Sequence, residues 1–147
     1  MAEEVRQQRE ETIVKAVIPT GTALALVHSF AAFNNLYRVA PWIDIPLHFW
    51  GGALLALFFY WFFYRFRHLL KIDEAPFLVS LILVLGWTAL GGVFWEFGEF
   101  IYDKSFTLKP VQFGLADTLG DLFFDILGGL TVAFFIRLRY YKKEKKA

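Results

Sequence analysis

Four apolar stretches, each long enough to cross a bilayer, constrain this chain more than any other feature. They run over about residues 13–33, 45–64, 77–101 and 115–136. A helix rises ~1.5 Å per residue, so ~20 residues cover a hydrocarbon core ~30 Å thick. The stretches are apolar all round and carry little amphipathic periodicity, as helices in lipid do. Composition agrees: 57% of residues are hydrophobic, 20% are aromatic, and mean hydropathy is +0.47. A soluble domain of 147 residues would struggle to hide so much apolar surface. The expectation is an all-α integral membrane four-helix bundle. Residues 1–12 form a polar N-terminal segment, 13–138 the transmembrane domain and 139–147 a basic tail.

Charge placement predicts an orientation. Arg6, Arg9 and Lys15 precede the first stretch, and Arg65, Arg67 and Lys71 lie between the second and third. Arg137, Arg139, Lys142, Lys143, Lys145 and Lys146 follow the fourth, whereas the other two connections carry only Arg38, Lys104 and Lys109. The positive-inside rule then puts both termini in the cytoplasm, with the bundle in the plasma (cytoplasmic) membrane. Trp42, Trp50, Trp61, Tyr60, Tyr64, Tyr140 and Tyr141 mark expected interfaces. The opening "MAEEVRQQREE" is polar and mixed in charge, unlike a signal peptide. A formal net charge of +1 gives no field suited to nucleic acid. The absence of cysteine removes disulfides, thiolate metal sites and Cys nucleophiles. Short connections predict antiparallel neighbours. The longest outer loop, 102–114, either lies on the membrane surface or folds over the bundle as a lid.

The acids and histidines of these helices all fall in the outer half; the inner half has no comparable set, and Lys15, Arg65 and Arg137 read there as snorkelling boundary cations. Asp44 and His48 are spaced i, i+4 on the second helix. Glu96, Glu99 and Asp103 follow at i, i+3 and i+7 on the third, and Asp117, Asp121 and Asp125 at i, i+4 and i+8 on the fourth. His28 lies on the first. Residues four apart return to within about 40° of one another on a helix, so the three aspartates share a face over ~12 Å of depth. An Asp near the bilayer centre costs ~3 kcal/mol on insertion scales, a cost met by facing the bundle interior and finding a partner.

Nearby cations are scarce, and clustered carboxylates cannot all stay ionised. Three answers are open: a bound metal or other cation, shared protons, or a structural polar network. The i, i+3 and i, i+4 spacings also let one helix aim two ligands at one ion, as in di-metal carboxylate bundles. The candidate ligands are His48, Glu96, Glu99, Asp121, Asp125, Asp117 and Asp44, with His28 and Asp103 secondary. Asp44 and Asp103 also suit interfacial caps, Asp117 suits an N-cap, and His28 suits a hydrogen-bonded core histidine. Oxygen ligands with one or two His favour Mn, Fe, Zn, Mg or Ca. Gly51–Gly52, Gly91–Gly92 and Gly128–Gly129 offer close helix approach.

The motifs "DIPLHF" (44–49), "WEFGEF" (95–100) and "DTLGDLFFDILGG" (117–129) resemble those of VanZ-like membrane proteins and the related YjdF-like family. The matching positions are Asp44, His48, Glu96, Glu99, Asp121, Asp125 and Gly128. The Asp117–Thr118 pair is more YjdF-like, and Asp125 stands where VanZ-like proteins often carry Asn. The Pro-Gly-Arg type loop of VanZ-like proteins is missing here. The resemblance implies an integral membrane fold and supplies no reaction.

Three function classes follow. One is a metal-dependent enzyme acting on a lipid or lipid-linked substrate by hydrolysis or transfer, with a remaining acid as general base. A second is a cation or proton transporter. The dry inner half argues against a path through one protomer, so an oligomer stays open as a partner. The third is a structural or accessory membrane protein with a protonated network.

Overall fold

The computed structural model describes residues 2–66, 76–106 and 111–144, with side chains described between residues 11 and 138 except 12, 13 and 64. Arg67, His68, Lys71, Lys109 and the side chains of Arg6, Arg9, Tyr64, Tyr140 and Tyr141 lie outside the described set. The elements are α1 (Ala2–Phe33), α2 (Leu36–Val39), a 3-10 turn (Pro41–Ile43), α3 (Asp44–Arg65), α4 (Phe77–Ser105) and α5 (Leu115–Glu144). Among the described residues there is no strand. Four segments are long and apolar enough to cross a membrane: Val14–Phe33, Pro41–Phe63, Phe77–Ser105 and Leu115–Leu138. The expected all-α, four-span architecture is therefore present. The helices outrun the expected apolar limits at both ends of the chain, where α1 starts at Ala2 and α5 continues to Glu144. Polar flanks 2–12 and 137–144 thus extend the helices they border, because Glu, Arg, Lys and Gln are good helix formers.

Local chemistry sets the ends. Asn35 closes α1 in the left-handed region at φ 56°, which Asn tolerates better than most residues, and α2 starts directly after it. Pro76 precedes α4 and its carbonyl accepts from Val79 N–H and Ser80 N–H at 2.9 and 3.2 Å. Gly114 precedes α5 at φ +110°, a backbone angle that disfavours any side chain. Its carbonyl accepts from Thr118 N–H at 3.1 Å.

α3, α4 and α5 form the core of the bundle, and α1 packs against α3 from outside. Sequence neighbours run antiparallel, as the short connections predict. α3 and α5, by contrast, run parallel and make the closest pair: residue 49 faces 128, and Ala56 and Phe59 pack with Ala133. Glycine makes this approach possible. A Cβ on Gly52 would strike the Asp125 carbonyl, and one on Gly128 would strike the carbonyl of Phe49.

Two apolar clusters lie toward opposite ends. Ala56, Phe59, Val84 and Ala133 fill the half away from the acids. Ala31, Tyr37 and Val111 close the other end, where the 34–43 connection meets the loop before α5.

Candidate metal centre

Between those clusters, α3, α4 and α5 bring their acids together. Asp44, His48, Glu96, Glu99, Asp121 and Asp125 are all buried, with Glu96 4% and Asp125 3% exposed. The causes are local. Asp44 and His48 are one turn apart on α3, Glu96 and Glu99 one turn apart on α4, and Asp121 and Asp125 one turn apart on α5. Gly51, Gly52 and Gly92 all lie against Asp125, so the small residues let three helices converge on its carboxylate.

His48 is the hub. Its Nδ1 lies 3.3 Å from Asp125 Oδ2. Its Nε2 lies 3.5 Å from Asp44 Oδ1 and 3.9 Å from Glu96 Oε1. Two sets of ligand atoms fall within 4.8 Å of one another: Asp44, His48 and Asp121, and His48, Glu96 and Glu99. Among the described residues no lysine or arginine pairs with these acids. Lys104 instead sits over the Phe100 ring at 5.7 Å, and Arg137 over Phe77 at 5.3 Å.

The two oxygens of Glu96 have different surroundings. Oε2 accepts from Gln112 Nε2 at 2.8 Å and from the Thr118 hydroxyl at 2.7 Å. Oε1 is buried and has no hydrogen-bond partner. A buried carboxylate oxygen left bare is costly, and such groups are rare in folded proteins. Glu99 is held by Trp95, whose indole N–H donates to Oε1 at 3.0 Å.

The remaining candidates have other partners. Asp103 accepts from Val111 N–H at 2.9 Å and Gln112 N–H at 2.9 Å, tying the loop before α5 to the end of α4. Asp117 is the third residue of α5 rather than its N-cap, and it accepts from Phe113 N–H at 2.8 Å. That resembles the acid half of a capping box, reaching back past the helix start. Asp103 and Asp117 therefore set the loop that carries Gln112, and neither joins the two ligand groups. His28 lies on peripheral α1, where its Nδ1 is 2.6 Å from the Tyr37 hydroxyl and its ring meets Trp95 edge-on at 4.8 Å. Burial, reinforced by Asp44, Glu99 and Asp121, pushes the Tyr37 phenol upward, so it stays neutral.

Of the expected outer loop 102–114, residues 102–105 belong to α4 and 107–110 lie outside the described residues; Val111 is buried and Gln112 donates to Glu96, whereas Phe113 and Gly114 are exposed. Gln112 and Tyr37 are neighbours of the cluster that spacing could not reveal, because each acts through a tertiary contact from a loop or a short helix. Trp95 reaches Glu99 one turn along its own helix.

The comparisons agree with this architecture. A family model described as "Predicted membrane protein (DUF2238)" matches residues 7–142. An uncharacterized protein of Thermotoga maritima is 36% identical over 139 residues, covering 90% of this chain and 69% of that protein. No solved structure matches the chain. A match over nearly the whole length, with four membrane-length helices beneath it, identifies the chain as a member of the DUF2238 family of predicted membrane proteins.

Proposed function

We propose that the buried cluster is a divalent-cation site, built on His48 and the carboxylates of Asp44, Glu96, Glu99 and Asp121. The observation that carries this reading is the bare Glu96 Oε1, buried and facing His48 Nε2 at 3.9 Å. A cation between them satisfies both atoms at once. The spacing fits: ligands lie ~2.0–2.6 Å from such ions, so atoms of one coordination shell are ~3–5 Å apart. Asp125 acts behind the imidazole. It accepts from Nδ1–H, fixes the tautomer that leaves Nε2 bare, and raises the basicity of that nitrogen. The donor set suits Mn, Fe, Zn, Mg or Ca.

We favour metal-assisted hydrolysis or transfer on a lipid or lipid-linked substrate over transport. The supporting observation is the packing of the other half, where Ala56, Val84 and Ala133 are fully buried and Phe59 nearly so, among Tyr60, Phe63 and Trp87. Among the described residues that packing is apolar apart from the Tyr60 hydroxyl and the Trp87 indole, which favours a closed site over a path through one protomer. A bound cation would act as Lewis acid or activate water, and an acid not engaged as ligand would take the proton. The cationic flanks favour an orientation with both termini in the cytoplasm and the cluster toward the outer face of the plasma membrane. The motif resemblance to VanZ-like and YjdF-like proteins is compatible with this reading and adds no reaction.

Elemental analysis of protein purified in detergent, without chelator or nickel, tests the proposal. Near-stoichiometric metal in the wild type, lost in an Asp121→Asn/Asp125→Asn/Glu96→Gln variant, is the expected result. No metal in either, after incubation with each of the five ions, overturns it and leaves proton sharing or a structural network.

A further inference from the structure

Two cavities flank the contact between His28 and Trp95. The inner one, about 200 Å³, is lined by Leu24, Leu54, Leu55 and Gly91, with Asp44, His48 and Asp125 at its polar end. The outer one, about 380 Å³, is lined by Ser29, Phe33 and Phe94, with Glu99 at its polar side and Val111 among its walls. His28 and Trp95 line both. The outer cavity lies between α1 and α4 and the inner one among α1, α3 and α4, and the two meet at the His28–Trp95 wall of this cleft.

The cleft opens on the outside of the bundle. α1 packs on α3, and its approach to α4 is slight, so helix packing does not seal the seam. Phe33 and Phe94 at its edge are 87% and 64% exposed, as lipid-facing residues are. A hydrocarbon chain lying in the membrane can enter such a seam without crossing water. The floor is chemically opposite to the walls, because every charged residue lining the cleft is an acid or a histidine.

We propose that this cleft binds a single-chain amphiphile with an anionic phosphate head, its chain along α1 and α4 and its head on the cation of the cluster. The inference rests on the divalent-cation reading, since bare carboxylates would repel a phosphate. It adds the ligand class and the route of entry. A cation held by these residues would bind a phosphate oxygen, while the walls formed by Leu24, Leu54 and Gly91 hold the first part of the chain. Trp95 and His28 stand where the chain passes from one cavity to the other.

The test uses dodecyl phosphate on the Mn²⁺-loaded full chain, counted by native mass spectrometry after release from detergent. Dodecanol and inorganic phosphate serve as chain-only and head-only controls. Two variants fill the cleft, Leu24→Trp inside and Ser29→Trp at the exposed outer wall. Metal content is measured on every sample. The expected result is one dodecyl phosphate per chain, weakened at least tenfold by chelation, by either substitution with metal retained, and in both controls. Metal bound with no saturable dodecyl phosphate, or binding indifferent to both substitutions, overturns this inference and leaves the cation site standing. Absence of metal overturns the cation reading, and amphiphile binding without metal overturns the phosphate-on-cation assignment. If Leu24→Trp does not fold, Ser29→Trp decides, because residue 29 is exposed.

Discussion

The two halves of the bundle solve the same packing problem with opposite chemistry. In one, Ala56, Phe59, Val84 and Ala133 close the space between α3, α4 and α5 with apolar side chains. In the other, the same three helices converge on five carboxyls and an imidazole. Among the described residues the first arrangement carries no acid, and its one orphan is the buried Trp87 indole N–H, a neutral group. The second leaves a buried carboxylate oxygen bare and sets a histidine between acids on both of its nitrogens. One half is thus a scaffold, and the other is costly in the absence of something positive.

The largest expected effect breaks the scaffold that both halves share. Gly128→Leu drives a side chain into the Phe49 carbonyl at the closest point of α3 and α5. Because that neighbour is backbone, the loss should exceed ~3 kcal/mol and remove the monodisperse peak in size-exclusion chromatography. Phe59→Ala opens a cavity in the dry half and should cost about 3–5 kcal/mol. Measured by thermal unfolding in detergent, it should leave metal content unchanged, which separates the halves cleanly. Equal loss of metal would mean that they are one cooperative unit.

Smaller effects probe the acidic half. Chelation should lower the unfolding temperature of the wild type, since ligand at 100 times its Kd stabilises by about 2.7 kcal/mol. The Asp121→Asn/Asp125→Asn/Glu96→Gln variant should show no such drop. Asp125→Asn alone keeps the shape and weakens the hold on His48, so metal affinity by competitive titration should fall roughly 10- to 100-fold. Gln112→Ala removes one of two donors to Glu96 Oε2, at about 1 kcal/mol, and should weaken metal binding only a few-fold.

Much of this was legible in the linear chain. Four runs of lipid-spanning length mark the helices, because a bilayer imposes one length on all of them. The i, i+4 pairs Asp44/His48 and Asp121/Asp125, and the i, i+3 pair Glu96/Glu99, mark the faces that meet. What spacing cannot express is rank within a stripe. Asp117 shares a face with Asp121 and Asp125, yet its place in the first turn of α5 gives it a backbone N–H to accept instead. Asp103 likewise serves the loop. The parallel pairing of α3 with α5 also depends on which glycines face a neighbouring backbone: Gly52 and Gly128 do, whereas Gly86 and Gly98 face open space. Such choices are tertiary, as is the inward turn of Gln112.

The central claim is that His48, and not His28, gives its imidazole to a cation. Pulsed electron paramagnetic resonance on Mn²⁺-loaded protein reads this directly, through coupling of the metal to a ligand nitrogen. The account predicts coupling from a single imidazole, kept in His28→Ala and lost in His48→Ala. Nitrogen coupling that survives His48→Ala, or bound Mn²⁺ with no imidazole coupling in the wild type, would contradict it.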